Sequence, residues 1–466
     1  MNEEMTCLSS DGGISPRCRW LAAAVMIGSL HAGGGALAGP RADDLAFAKN
    51  EYVLRSPAFR PEARAQAVSF IDEAAQSADE MSPEQFLLCM FRVAAFADNG
   101  HDALNAGDDA WFPDARLPLR MLWFRDNWVI ARADEAHADL AGALVLRIEH
   151  RSSAEVFRTA RSLFGGTDGY RRWNAEPLLE NAGVLHALGL AEKPDRLRLE
   201  LVLADGRHVT RTLRFVKKSD VPKGQEAQRI WSPAPWPGER EHGWARVNPE
   251  PTPLYLREGE RSFRVARLGE LDSVYLQMRT HLDAPGEPVA GFEHQADDAI
   301  NHFHPRNLIV DLRFDSGGNT DLTRAWQRSL PARVPGLIYV VVGPYTFSAG
   351  IVAAAAFKHD APDRVRIVGE AVGDRLSWWS EGTDVCARNS KYCFHRTSGL
   401  WDLVRGCAGR PGCYGDKYDA QVGSLNPDLH APLTAKAFLA GRDPAMEAIS
   451  RDIGAGLDSK GRAAVQ

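Results

Sequence analysis

The sequence has no run of about 18 uninterrupted apolar residues, the length that a helix needs to cross a membrane, so a protein that weaves through a bilayer is excluded. It also has no excess of basic residues, because 55 Lys and Arg stand against 61 Asp and Glu and leave a net charge of −6. Proteins that bind nucleic acids normally carry a dense basic face, so no nucleic-acid partner is expected. The 466 residues, 44% of them apolar, predict roughly three globular domains.

Cysteine is scarce, with 7 residues in the chain, and four of these fall in one short segment: Cys386, Cys393, Cys407 and Cys413. Their spacing lacks the paired C-x-x-C pattern of structural zinc sites, so no metal is expected. Two disulfides are the better prediction, and the sequence does not choose among the three possible pairings. Cys89 lies in an apolar helical pattern and is predicted to be a buried free thiol.

The amino-terminal segment has the pattern of a secretory signal peptide. Arg17 and Arg19 precede the apolar run Trp20–Leu30, and Ala36-Leu37-Ala38 resembles a cleavage site for signal peptidase. The apolar run is too short to favour the alternative of a membrane anchor. Residues 1–38 are therefore predicted to direct export to the periplasm or the extracellular space.

The rest of the chain divides by its hydrophobic periodicity. Residues 41–112 read as helices, including one that begins at a Ser82-Pro83-Glu84-Gln85 capping box. Residues 115–217 read as a small mixed module of short strands and a helix, and residues 218–252 as a proline-rich linker. Residues 253–450 alternate strand and helix, which predicts an α/β domain with parallel strands.

Two loops at the expected carboxyl ends of these parallel strands stand out. Ser348 joins a buried strand to an alanine-rich helix, where its hydroxyl would meet the positive end of the helix dipole and the Ala349 amide could bind an oxyanion. The simpler interpretation is that Ser348 only caps the helix. Gly317 and Gly318 follow the neighbouring strand and would let the backbone approach a substrate closely.

Five motifs then occur in a characteristic order. They are Asp-Leu-Arg-x-x-x-Gly-Gly-Asn at 311–319, Thr-Phe-Ser-Ala-Gly at 346–350, Ile-Val-Gly-Glu at 367–370, Asn-Pro-Asp at 426–428 and Ala-Gly-Arg-Asp-Pro at 440–444. Over residues 253–450 the chain resembles the tail-specific (C-terminal processing) and tricorn-type serine peptidases. The resemblance implies a crotonase-like (ββα) catalytic core at 253–450, an N-terminal helical domain at 41–112 and a PDZ-like module at 115–217.

The resemblance also implies roles for individual residues. Ser348 would be the nucleophile, and the amides of Gly317, Gly318 and Ala349 would form the oxyanion hole. Many members of the family use a lysine base, but Arg375 stands where that lysine would be, and arginine stays protonated at physiological pH.

The tricorn-like branch uses a histidine in an Asp-x-x-His pattern instead, which Asp98-Asn99-Gly100-His101 matches. His101 is therefore expected to be the general base. The acid that would orient it stays open between Asp419 and Glu370, with Asp419 favoured and Gln421 at about the spacing of the family's glutamate.

Other side chains carry weaker expectations. Trp378 and Trp379 follow the strand that ends at Glu370 and could line an apolar substrate pocket, although buried packing is equally compatible. His302 and His304 have the spacing of a metal pair on a strand, but they end a helical segment without acidic or cysteine partners and are predicted to be structural.

The sequence thus predicts an exported serine peptidase that cleaves peptides or proteins by acyl transfer and needs no cofactor. One alternative is an inactive member of the same fold that binds peptides or lipids. Another is an esterase with the same catalytic residues.

Overall fold

The computed structural model describes residues 39–107, 115–217, 243–247, 250–414, 418 and 420–463, with side chains described as far as residue 455. The predicted signal peptide, most of the predicted linker and the candidate acid Asp419 lie outside these residues. In the part of the chain that is described, no helix is long and apolar enough to cross a membrane.

The amino-terminal part is helical, as the sequence predicts. Its helices are α1 (Pro40–Phe47), continued by a π-helical turn at Ala48–Val53, α2 (Pro61–Ala75) and α3 (Pro83–Ala95). The capping box is confirmed, because Gln85 N donates to Ser82 Oγ and Ser82 N donates to Gln85 Oε1. Helix α3 ends at Ala95, slightly before the predicted stop.

The next segment forms an antiparallel sheet with helices on its side. The strands, preceded by the short β1 (Leu104–Asn105), are β2 (Ala115–Arg116), β3 (Leu119–Trp123), β4 (Trp128–Ala133), β5 (Leu144–Ile148), β6 (Arg151–Ser152), β7 (Arg196–Val202), β8 (His208–Arg214), β9 (Val216–Lys217) and β10 (Ala245–Arg246). The helices are α4 (Ser153–Ala160), α5 (Asp168–Leu178) and α6 (Ala182–Ala187). The main sheet has the order β10-β4-β5-β7-β8, with β3 beside β4 and β6 beside β5.

Helices α5 and α6 were not predicted from the sequence. Both are short, and α5 contains Pro177 and mostly polar and aromatic residues, so no clear apolar period marks it. Each of these helices has a capping residue at its start. The Thr167 side chain accepts the N–H of Tyr170, and the Asn181 side chain accepts the N–H of Val184.

The remaining chain is built on a six-stranded sheet of order β11-β12-β13-β14-β15-β20. Its strands are β11 (Phe263–Leu268), β12 (Ser273–Met278), β13 (Asn307–Asp311), β14 (Ile338–Val342), β15 (Val365–Gly369) and β20 (Leu429–His430). The helices are α7 (Val289–Phe303), α8 (Arg324–Ser329), α9 (Ala349–Asp360), α10 (Ala435–Leu439) and α11 (Pro444–Ala463).

The predicted parallel arrangement is confirmed for this sheet. Strands β12 through β15 and β20 run parallel, and only β11 pairs antiparallel. Strands β13 and β14 are buried along their whole length, which explains their uninterrupted apolar sequences. Their carboxyl ends meet at one edge, so the loops that carry Gly317 and Ser348 lie side by side. The labels crotonase-like and PDZ-like, and the domain boundaries, stay predictions.

Two of the sequence motifs meet in a buried ion network beneath this edge. Arg313 donates to Asp311 Oδ1 at 3.0 Å and to both carboxylate oxygens of Asp443 at 3.0 and 3.1 Å, and Tyr275 donates to Asp311 Oδ2. Burial works against the charge of Arg313, but Asp311 and Asp443 raise its pKa above the usual value. The network ties the end of β13 to the start of α11.

Two small sheets complete the structure around the first segment. Strands β17 (Thr383–Cys386) and β18 (Cys393–Arg396) form a hairpin that pairs with β1, and β16 (Ser377–Ser380) pairs with β19 (Gly399–Asp402). Disulfides join Cys386 to Cys393 across the hairpin and Cys407 to Cys413 in the following loop. Two disulfides are therefore confirmed, each between sequential cysteines, and Cys89 is free and buried as predicted.

Replacing Asp443 with Asn is expected to lower the free energy of unfolding by about 3 kcal/mol, because Arg313 would keep its buried charge with one carboxylate fewer. Urea unfolding of the two proteins measures this difference. Asp298→Asn is the matched control, since Asp298 lies in an exposed pair with His294, and it should change the same quantity by less than about 0.5 kcal/mol. Equal effects of the two variants would contradict the assigned role of the buried network.

Candidate active site

Ser348 occupies a strained turn between β14 and α9. Its φ of 51° and ψ of −120° place it at the first central position of a type II′ turn, which is closed by the bond from Gly350 N to Phe347 O at 2.9 Å. Glycine normally fills this position, and a side chain there costs about 1–3 kcal/mol. The Ser348 side chain makes no capping bond to α9, so the geometry does not favour the interpretation of Ser348 as a simple helix cap.

The glycine turn after β13 packs directly against this serine. A Cβ atom on Gly317 would lie 2.6 Å from Ser348 Cβ, and a Cβ atom on Gly318 would lie 2.7 Å from the carbonyl carbon of His281. Both glycines have positive φ values of 100° and 136°. Only glycine therefore allows the two loops to approach this closely.

Three backbone amides were expected to form an oxyanion hole, and the structure distinguishes them. The N–H of Gly317 is donated to Asp315 Oδ1 at 2.9 Å. Among the described residues, no hydrogen-bond acceptor is found for the N–H of Gly318 or Ala349. The second of these opens helix α9, where backbone amides are free to bind an anion.

Asp315 and His281 support the glycine turn from below, and sequence reasoning missed both. Asp315 Oδ2 lies 3.0 Å from His281 Nε2, off the direction of a hydrogen bond, and His281 Nδ1 lies 2.8 Å from Thr323 Oγ1. Asp315 and His281 are completely buried. The carbonyl of Asp315 also accepts the N–H of Phe347, so the same residue holds both loops.

His101 lies in the loop between α3 and β1, and the fold brings it beside the serine turn. Its ring stacks on Phe347 with centroids 4.4 Å apart, and it is parallel to Trp378 at 6.3 Å. Phe347 directly precedes Ser348, so the proposed base and nucleophile share one part of the molecule. Neither ring nitrogen of His101 has a hydrogen-bond partner among the described residues.

The His101 loop is held by ionic contacts at Asp98. Arg171 donates to Asp98 Oδ1 at 2.6 Å, and Arg375 donates to Asp98 Oδ2 and to the Asp98 carbonyl, both at 2.6 Å. Asn99 makes two hydrogen bonds to the backbone of Trp379. Arg375 therefore serves to fix this loop.

Asp374 is the acidic residue that the structure brings to His101. Its Oδ2 lies 3.9 Å from His101 Nδ1 and accepts the N–H of Gly100 at 3.1 Å. The Asp374 side chain is 1% exposed, and burial raises its pKa to about 6. Asp374 directly precedes Arg375, but no pattern in the sequence pointed to Asp374.

The acids expected from the sequence do not supply this contact. Glu370 accepts the N–H of Leu433 at 3.0 Å and lines a separate cleft, where burial raises its pKa. Asp419 lies outside the described residues, so its role stays a prediction. Gln421 donates to the carbonyl of Val404.

The two tryptophans differ in their surroundings. Trp378 is 3% exposed and packs between His101 and Trp401, whereas Trp379 is partly exposed and pairs through its backbone with Asn99. A role for either in substrate binding stays a prediction. Within the described ranges, no group of three His, Cys, Asp or Glu side chains is arranged to hold a metal ion.

Solved protein structures share this fold, whereas no family model and no curated protein matches the sequence. Mature CPAF complexed with lactacystin is 14% identical, with a TM-score of 0.53 and coverage of 89% of this chain and 97% of that one. A serine-to-alanine mutant of CPAF gives 14% identity, a TM-score of 0.52 and coverage of 89% and 96%.

A looser likeness is to the photosystem II D1 C-terminal processing protease, with 12% identity, a TM-score of 0.38 and coverage of 89% and 98%. These structural neighbours are S41-family peptidases. The two CPAF structures confirm the resemblance inferred from the motifs at the level of the fold.

His101 is expected to remain neutral down to low pH, because burial, with a smaller contribution from His395, lowers its pKa to about 3. A neutral buried histidine stabilises the fold above its unfolded pKa of about 6.5, and this stability is lost as the pH falls toward 3. The free energy of unfolding of the wild type relative to His101→Asn should therefore rise between pH 3 and 6.5, by about 1.4 kcal/mol for each unit of pKa shift.

Asp374, with its raised pKa, has the opposite effect between about pH 4 and pH 6, but it does so in both proteins and cancels in the comparison. Urea unfolding at several pH values measures the difference. A difference that stays constant with pH would mean that His101 binds its proton as readily in the folded as in the unfolded chain.

Proposed function

We propose that this chain is a serine peptidase in which Ser348 is the nucleophile and His101 the general base. The observation that carries the proposal is the strained, uncapped serine at the start of α9, with an imidazole ring stacked on the residue before it. Backbone strain of this kind at a polar side chain is concentrated at functional sites. The shared fold with CPAF supports a peptidase at the level of the family.

The proposed reaction is acyl transfer. Ser348 Oγ bonds to the carbonyl carbon of a peptide while its proton passes to His101, which then gives the proton to the leaving amine as the C–N bond breaks. Water releases the acyl group with the same histidine as base. The free amides of Gly318 and Ala349 would stabilise the oxyanion, and Gly317 would contribute mainly by leaving room beside Ser348.

Asp374 would orient His101 in this mechanism. Near pH 7 a carboxyl group with a pKa of about 6 is mostly ionised, whereas His101 is neutral, which is the resting state that a base requires. The gap of 3.9 Å between them is longer than a hydrogen bond, and catalytic contacts often tighten only when substrate binds. Once His101 accepts a proton, the adjacent carboxylate would stabilise the imidazolium.

Peptides or proteins are the proposed substrates, and the PDZ-like module at 115–217 would present them to the core by strand addition. Export to the periplasm or the extracellular space is proposed with residues 1–38 as the leader, and the two disulfides support an oxidising compartment. The second candidate is an inactive binding protein. It is favoured by the two unpartnered ring nitrogens of His101.

A fluorophosphonate probe is expected to label the wild type and not Ser348→Ala, because only an activated serine attacks phosphorus at a useful rate. Labelling is measured by fluorescence after gel electrophoresis. Ser316→Ala is the matched control, since Ser316 is exposed on the adjacent glycine loop and should leave labelling unchanged. An unlabelled wild type would favour the inactive binding protein, and labelling that survives in Ser348→Ala would exclude this nucleophile.

Asp374→Asn is expected to lower kcat by roughly 10²-fold or more, because the amide cannot stabilise the imidazolium as a carboxylate does. The acid limb of the pH profile of kcat/KM should also move to lower pH, because the wild type loses the Asp374 carboxylate below about pH 6, whereas in the variant only the titration of His101 remains. Asp298→Asn serves as control, because Asp298 lies in an exposed pair with His294. A lower kcat with an unmoved acid limb would assign Asp374 a purely structural role.

A further inference from the structure

Residues 280–282, which follow strand β12, run alongside the glycine turn of the candidate active site. His281 and Gly318 form an isolated bridge of the parallel type. The N–H of His281 is donated to the carbonyl of Gly317 at 2.7 Å, and the carbonyl of His281 accepts the N–H of Asn319 at 3.0 Å. These two hydrogen bonds lie on either side of Gly318, so the segment 280–282 extends the parallel pairing of the sheet as far as the turn.

This pairing determines the direction of the N–H of Gly318. In a parallel pair, the partner strand bonds to the residues before and after the bridged residue, whose own N–H points to the other side. The carbonyl of Gly317 and the N–H of Gly318 also belong to one planar trans peptide, in which the two groups point in opposite directions. Because that carbonyl is bound by the segment 280–282, the N–H of Gly318 is directed away from it.

The serine turn lies on the other side of the glycine turn. A Cβ atom on Gly318 would lie 2.7 Å from the carbonyl carbon of His281, whereas a Cβ atom on Gly317 would lie 2.6 Å from Ser348 Cβ. The glycine turn is therefore packed between the segment 280–282 and the serine turn. A donor that points away from the first is directed toward the second.

The hydroxyl of Thr280 makes a further hydrogen bond to the carbonyl of Gly317. Thr280 Oγ1 lies 3.1 Å from this carbonyl oxygen, and it accepts the N–H of Leu282 at 3.2 Å. A carbonyl can only accept, so the hydroxyl proton of Thr280 is donated to Gly317. His281 thus holds the carbonyl through its backbone, and Thr280 holds it through a side chain that substitution can change.

A peptide between two glycines needs such a restraint. Gly317 and Gly318 have φ values of 100° and 136°, and glycine adopts positive and negative φ with similar ease, so this peptide plane can rotate at little steric cost. Rotation would withdraw the N–H of Gly318 and turn a carbonyl oxygen toward Ser348, where it would repel an oxyanion. An oxyanion hole stabilises the transition state only if its donors are aimed before the reaction begins.

We propose that Thr280 is a positioning residue of the oxyanion hole. Its hydroxyl holds the carbonyl of Gly317, and this aims the N–H of Gly318 at the substrate oxygen that becomes negative when Ser348 attacks. Thr280 acts through the glycine turn and not through contact with the reacting atoms. The role rests on the proposed peptidase function, because an oxyanion forms only if Ser348 is the nucleophile.

The test follows the fluorophosphonate probe over time in the full chain. Ser348 Oγ bonds to phosphorus as the P–F bond breaks and fluoride leaves, and negative charge develops on the phosphonyl oxygen as it does on a peptide carbonyl. Thr280→Val removes the hydroxyl and keeps the shape of the side chain. The labelling rate constant at saturating probe, kinact, is expected to fall roughly tenfold, as for the loss of one hydrogen bond. The half-saturating concentration, KI, should stay within about twofold, because the charge exists only in the transition state.

Two further variants separate positioning from general damage to the fold. Thr280→Ser retains the hydroxyl and should bring kinact back to within about threefold of the wild type, as expected for one regained hydrogen bond. Thr159→Val is the matched control, because the Thr159 hydroxyl also donates to a backbone carbonyl, that of Glu155 in α4. It should leave kinact and KI unchanged.

An unchanged kinact in Thr280→Val would overturn the proposal. The same holds for a fall that comes with an equal rise in KI, that Thr280→Ser does not reverse, or that Thr159→Val shows equally, because none of these results would come from an amide that acts on developing charge. A wild type that the probe does not label would overturn the proposed peptidase function, and this role with it. The two failures are therefore distinguished by the wild type alone.

Discussion

The candidate site depends on one backbone conformation, the left-handed φ of 51° at Ser348. A side chain keeps such a conformation only when its surroundings outweigh the strain. Here the N–H of Phe347 is donated to Asp315 on one neighbouring loop, and the N–H of Gly373 on the other is donated to Thr346. The serine turn is therefore tied to both adjacent strand ends, and the same ties bring the glycine turn and the His101 loop into place.

Charged groups have different roles at Asp98 and at the pair of His101 and Asp374. Around Asp98, partly exposed ion pairs with Arg171 and Arg375 fix a loop. Such pairs are individually weak, but several on one residue restrict its backbone. At His101 and Asp374, burial dominates and disfavours charge on either group. The loop is thus held by ion pairs, while burial keeps the imidazole of His101 neutral, which is the state that its proposed role as proton acceptor requires.

Much of the fold could be predicted because it follows from local patterns. The capping box at Ser82 and the buried apolar strands β13 and β14 are each recognisable from a pattern of a few consecutive residues. The position of Ser348 at a strand–helix junction followed from the same patterns. Helix α5 escaped prediction because its sequence is mostly polar and aromatic and contains Pro177, so its packing on the Pro344 turn left no clear apolar period.

The partners within the site could not be predicted in this way. Asp374 reaches His101 only because the two loops fold together, and Glu370, four residues earlier, points to another cleft. The spacing of acidic residues along the chain does not show which of Asp374 and Glu370 lies beside His101. The roles of His281 and Arg375 are likewise set by contacts between distant segments.

The residues that hold His101 in place lie late in the sequence, and this determines when the site can assemble. His101 is made long before Ser348, but Asp374, Arg375 and the hairpin strand β18, which pairs with β1 just after His101, are all made after Ser348. A nascent chain that has already exposed both proposed catalytic side chains would still lack the contacts that align them. The order of synthesis thus withholds a competent site until nearly the whole chain has emerged.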